Sequence, residues 1–189
     1  MHRTDFIKSI IILLCVGMCY PFAAHALTFS EKITNVLYGS GVNLVQDYRG
    51  VSISIPTDEM FMRVPAEDPR IDPHYFYVMD TIVNVIQNYS RERQLEITGH
   101  TDDLWTSVEE KLVSQRYAEA VSEYLVSRGV DGRRIIKVLG QGSGEPVGNN
   151  RQFGGRILNR RVEILIVPPR GEEAEMVEEK EEEPFRYEK

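Results

Sequence analysis

One segment narrows the fold more than any other. Leu95-Glu96-Ile97-Thr98 alternates apolar and polar side chains, as a strand with one buried face does. The alternation stops at Gly99-His100-Thr101-Asp102-Asp103, where Gly99 is expected to permit a turn that other residues resist. An amphipathic helix then runs from about Val108 to Ser127. Val113, Tyr117, Ala120, Val121, Tyr124 and Leu125 line one stripe of it, and Gly129 stands where a C-terminal cap belongs. "RIIKVLG", residues 134–140, reads as the next strand. A strand, a tight polar turn, a long helix and another strand require a sheet with that helix laid across it.

The remaining chain fits around this unit. "GVSISIP", residues 50–56, is a strand by strict alternation, and "RRVEILIV", residues 160–167, is a last one closed by two prolines. From Pro56 to Pro73, four prolines and several acids indicate an irregular loop. A helix follows from about Tyr75 to Asn88, with apolar residues at helical spacing. The order is βαβαββ, which predicts an α+β sandwich: a mixed sheet with helices on one face. Residues 27–49 form an N-terminal extension with a short amphipathic stretch and a Gly-Ser-Gly break.

The termini differ from this body. Arg3 and Lys8 precede the apolar run "IIILLCVGMC", too short to span a bilayer, and "AHA" at 24–26 supplies small residues at a cleavage site. Residues 1–26 therefore read as a signal peptide, with an uncleaved anchor as the alternative. Cys15 and Cys19, the only cysteines, lie within it, so a mature chain cut after Ala26 has no thiol. Cys19, with Gly17 two residues before it, is the lipidation candidate and would tie the N-terminus to a membrane. Residues 169–189 read as an acidic disordered tail, with nine Glu against three Lys or Arg over 171–189. The net charge of −7 is thus mostly tail, and a nearly neutral body argues against nucleic acid as a partner.

The opening turn also carries the chemistry. Read alone, Asp102 or Asp103 is a helix cap, favoured by the macrodipole. Arg116 lies one to two turns into the helix, at the border of its apolar stripe. An aspartate and an arginine across one cleft are a salt bridge at least, and at most a receptor for an amino acid. The carboxylate takes an ammonium, and the planar guanidinium takes a carboxylate. Arg151, Arg156, Arg160 and Arg161 crowd the approach to the last strand as a basic rim. "GQGSGEP", 140–146, is a flexible turn and not a dinucleotide fingerprint, since its third glycine falls one residue early and Pro146 follows. His74, His100 and the aspartates lack metal-ligand spacing, so neither metal nor cofactor is expected. A hydrolase using Asp102 and His100 is the enzymatic alternative, and the residues favour a chain that is not an enzyme.

Several motifs, in order, carry a resemblance: "GHTD" at 99–102, "LVSQR" at 112–116, "GQGSGEP" at 140–146 and "GRILNRRVEI" at 155–164. Over residues 50–168 the chain resembles the OmpA-like C-terminal domain, the peptidoglycan-binding module of peptidoglycan-associated lipoproteins and flagellar stator proteins. The resemblance implies non-catalytic binding of diaminopimelate in the peptide stem by Asp102 and Arg116, with Thr101 and either Arg160 or Arg161 beside them. It implies a place in the periplasm or at the outer membrane of a Gram-negative cell, anchoring an envelope assembly. The chain departs from the family at Glu109, where an Asn is usual and where the acid would put charge beside ligand. It departs also at Val113, Tyr117 and Trp105. A narrower likeness is to small components of the Dot/Icm type IV secretion outer-membrane core. It implies the alternative of a structural subunit with a degenerate wall site and with outer-membrane or secretion-system proteins as partners.

Overall fold

The computed structural model describes residues 28–62 and 68–169. The expected signal peptide, Cys19 and all but the first residue of the expected tail lie outside the described residues. The sheet has five strands: β1 (Asn43–Asp47), β2 (Gly50–Pro56), β3 (Gln94–His100), β4 (Ile135–Gly142) and β5 (Arg161–Val167). Their spatial order is β1-β2-β5-β3-β4. Only β3 and β4 run parallel, because α4 (Ser107–Ser127) carries the chain back between them; the other neighbours are antiparallel. Three more helices are α1 (Phe29–Leu37), α2 (Thr57–Met60) and α3 (Phe76–Asn88), and α5 (Phe153–Asn159) leads into β5.

The alternation that marks the strands decides which face is covered. Val51, Ile53 and Ile55 of β2, Leu95 and Ile97 of β3, and Val162, Ile164 and Ile166 of β5 are all buried against Met79, Ile82 and Ile86 of α3 and Ala118, Val121 and Leu125 of α4. Ser52, Glu96, Thr98, Lys137 and Glu163 line a polar groove on the other face. The helices therefore sit on one side of a mixed sheet, as the order of elements implies.

Three local readings change. Gly99 does not turn the chain: it stays within β3, and its φ is not positive. Its missing side chain is needed because a Cβ there would stand 2.0 Å from the Ser114 carbonyl oxygen of α4. Gly140, its register partner on β4, meets the same helix, with a Cβ 2.3 Å from the Gln115 nitrogen. Second, the extension adds a strand to the sheet. Its β1 pairs with β2, and Ile33 and Leu37 of α1 join the core. Third, the proline-rich segment holds α2, and Phe61 bridges Ile71 across it.

Candidate functional site

β3 ends at His100, and the chain crosses six residues before α4 begins. Thr106 caps that helix: its hydroxyl accepts from the Glu109 N–H, and the Glu109 carboxylate accepts from the Thr106 N–H in return, a capping box. The same carboxylate takes the Thr106 hydroxyl at 2.7 Å, and these bonds lower its pKa. Glu109, read as a charge beside ligand, is thus occupied in the cap, and Asp102 is left free of that duty.

Asp102 instead lines an open cavity of about 210 Å³. Thr57, Asp58, His100, Thr101 and Arg160 line it with Asp102, and Leu104, Trp105, Val113 and Tyr117 supply apolar wall. Arg160 organises the polar side. Its Nε and Nη2 donate to the two oxygens of Asp58 at 2.8 and 2.5 Å, and its Nη1 donates to Asp102 Oδ2 at 2.5 Å. The bonds to Asp58 first, then those to Asp102, outweigh burial and raise the already high pKa of this guanidinium. Asp102 is only 3% exposed, and the Arg160 guanidinium is the cation that meets it there. Its Oδ1 accepts only a long bond, 3.4 Å, from the Leu104 N–H.

Two neighbours lack what Asp102 has. Among the described residues, buried His100 has neither ring nitrogen hydrogen-bonded, and the buried Thr101 hydroxyl has no partner either. Burial first, and the Arg161 charge second, push the His100 pKa down to about 4, although Glu163 pulls the other way. At neutral pH His100 is therefore neutral, and its 3.9 Å approach to Glu163 is not an ion pair. His100 pairs in register with Arg161, so its ring goes with Arg161 and Glu163 and not into the cavity. The Thr101 hydroxyl is the unsatisfied buried atom of a cavity-lining residue, an uncommon feature in folded proteins that a ligand would complete.

The arginines separate. Arg160 lines the cavity, whereas Arg161, one step along, lies on the other face with Glu163 and donates to Glu163, Asn159 and Glu145. Arg116 neither lines the cavity nor pairs with Asp102. It is half-buried on α4, next in sequence to the cavity-lining Tyr117, and its side chain makes no hydrogen bond or ion pair among the described residues. Asp58 is the residue that sequence reasoning missed. Its position follows from register, since Pro56 of β2 pairs with Arg161 of β5 and so brings 58 beside 160. Among the described residues no group of three or more His, Cys, Asp or Glu is placed to hold a metal ion.

The OmpA family model matches residues 66–160, half of the chain. The chain belongs to the OmpA family. Outer membrane protein A of Bordetella avium is 43% identical over 72 residues, which are 38% of this chain and 37% of that protein. The peptidoglycan-binding protein ArfA of Mycobacterium tuberculosis is 39% identical over 75 residues, 40% of this chain and 23% of that one. This OmpA-family chain thus spans well under half the length of either curated relative. The cell wall anchor of the T6SS from Pseudomonas aeruginosa shares the fold with a TM-score of 0.62 at 23% identity, over 72% of this chain and 97% of that one. The matched segment of the family holds His100, Thr101, Asp102, Arg116 and Arg160, but not Asp58.

Proposed function

We propose that the cavity receives the zwitterionic end of diaminopimelate in the peptidoglycan peptide stem, and that the protein is a non-enzymatic anchor of an envelope assembly to the wall. The observation that carries this is a buried carboxylate on an open cavity, next to the unpartnered buried hydroxyl of Thr101. Asp102 Oδ2 is held by Arg160, which leaves Oδ1 for an ammonium. Arg116 does not line the cavity; it has no side-chain partner among the described residues, and the family resemblance is what assigns it to the ligand's carboxylate. Thr101 adds a hydroxyl that can donate or accept. A relative named a peptidoglycan-binding protein and another named an outer membrane protein support the same ligand and an envelope location, periplasmic or outer-membrane.

Co-sedimentation with purified diaminopimelate-type sacculi tests it. Asp102→Asn and Arg116→Ala, each shown folded by circular dichroism, should each weaken sedimentation about tenfold, the loss of one charge-assisted contact. Undiminished sedimentation of both folded variants overturns the assignment.

A second reading is favoured by one observation: Arg160 already sits on Asp102. A site neutralised from within suits a structural subunit of an outer-membrane core complex, such as a type IV secretion system, whose wall binding has decayed. The two readings differ at Arg160→Ala. If Arg160 positions Asp102 for ligand, the variant binds sacculi less; if Arg160 blocks the site, the variant binds more.

A further inference from the structure

We propose that Leu104 and Trp105, at the mouth of the cavity, form a platform for a sugar ring of the glycan strand that bears the bound stem. This rests on the wall-binding reading above. The cavity, at about 210 Å³, is smaller than the roughly 300 Å³ at which small-molecule pockets begin. It holds one residue-sized group, so whatever that group is attached to must lie outside, across the rim. On the apolar side the rim is unusual for a surface. Leu104 is 66% exposed and Trp105 46% exposed, and both line the cavity. Two adjacent, exposed, large apolar side chains on the lining of a cavity are candidates for a contact surface.

The chemistry of that surface selects its occupant. A wall polymer offers two things to a cavity mouth, peptide and pyranose. A pyranose ring presents a flat C–H face with hydroxyls at its edge. An indole presents a flat apolar face with one N–H donor at its edge, a matching amphipathic plate. The platform is also fastened to the charged site, because the Leu104 N–H donates to Asp102 Oδ1. Trp105 is the single tryptophan of the chain, so its fluorescence reports the rim alone.

The test uses the full chain and two probes with one stem: a purified disaccharide-tetrapeptide containing diaminopimelate, and the same tetrapeptide freed of its sugars. Calorimetric titration should give the sugar-bearing probe an affinity about fivefold higher, the size of one aromatic contact. Its binding should also shift Trp105 emission. In Trp105→Ala the ratio of the two dissociation constants should fall to near one, and Trp105→Phe should keep part of it. Equal wild-type affinities overturn the platform but leave wall binding standing, and so does a Trp105→Ala ratio that stays at the wild-type value. If neither probe binds the wild-type chain, the wall-binding reading falls and the platform falls with it.

Discussion

Arg160 answers two carboxylates of different exposure, and the difference sets what each contributes. Asp58 is 42% exposed at its side chain and receives a two-pronged bond, so water competes for it and its removal should cost at most about 1 kcal/mol. Asp102 is almost fully buried, and Asp102→Ala removes one end of a desolvated pair, with an expected cost of about 1–3 kcal/mol. Because one guanidinium serves both, the two changes should not add. Urea unfolding of Asp58→Ala, Asp102→Ala and the double variant should show a coupling of about 0.5 kcal/mol or more. Additive losses would mean that Arg160 serves the two acids independently. Asp58 should matter to sacculus binding as well, though less than Asp102, because it fixes the fork that aims Arg160 at Asp102.

Helix α4 ties the site to the sheet, and it does so through small features at its start and along its underside. Thr106→Ala should lower stability by about 1 kcal/mol in urea unfolding, the usual cost of a lost N-cap. Glu109→Ala should cost less than that, and sacculus binding should be unchanged within about twofold if the acid serves only the cap. Stronger wall binding by Glu109→Ala would show instead that its charge opposes ligand. Under the same helix, Gly99→Ala would push a methyl into the Ser114 carbonyl, and since the clash is with backbone it should cost about 1–3 kcal/mol or more. These features show what was legible. β2, β3, β5, α3 and α4 announce themselves because each buries one face, and a buried face imposes a period on the sequence. β1 does not: it is an edge strand with Val45 mostly exposed, so its alternation is weak. The Thr-x-x-Glu cap from Thr106 to Glu109 is a local pattern, but the sequence reading puts the cap on Asp102 or Asp103 and a charge beside ligand on Glu109. Asp58 was not legible, because its role depends on which strands pair and in what register, a long-range fact. For Gly99 the residue type was informative but the reason was not, since close approach of a helix and freedom to turn both select glycine.

At the scale of the whole molecule, the buried imidazole makes stability depend on pH in a window of its own. His100 titrates near 4 in the folded chain because burial, and then Arg161, disfavour its charged form, whereas an unfolded histidine titrates near 6.5. Between those values the unfolded chain binds a proton at this residue that the folded chain refuses, so acidification favours unfolding. The contribution is fully present above about pH 6.5, declines as pH falls toward 4, and changes no further below that. Asp131 acts in a lower window. The hydrogen bonds from Arg133 hold its folded pKa at about 2 against an ordinary 3.8, so its contribution is present above 3.8 and is lost as pH falls through 2. The two windows barely touch, which makes the upper one assignable. Thermal unfolding of the wild-type chain should show a midpoint that falls from pH 6.5 to pH 4.5, and His100→Gln should flatten that part of the curve while leaving the fall below pH 4 in place. An unaltered slope in His100→Gln would mean that other groups cause it.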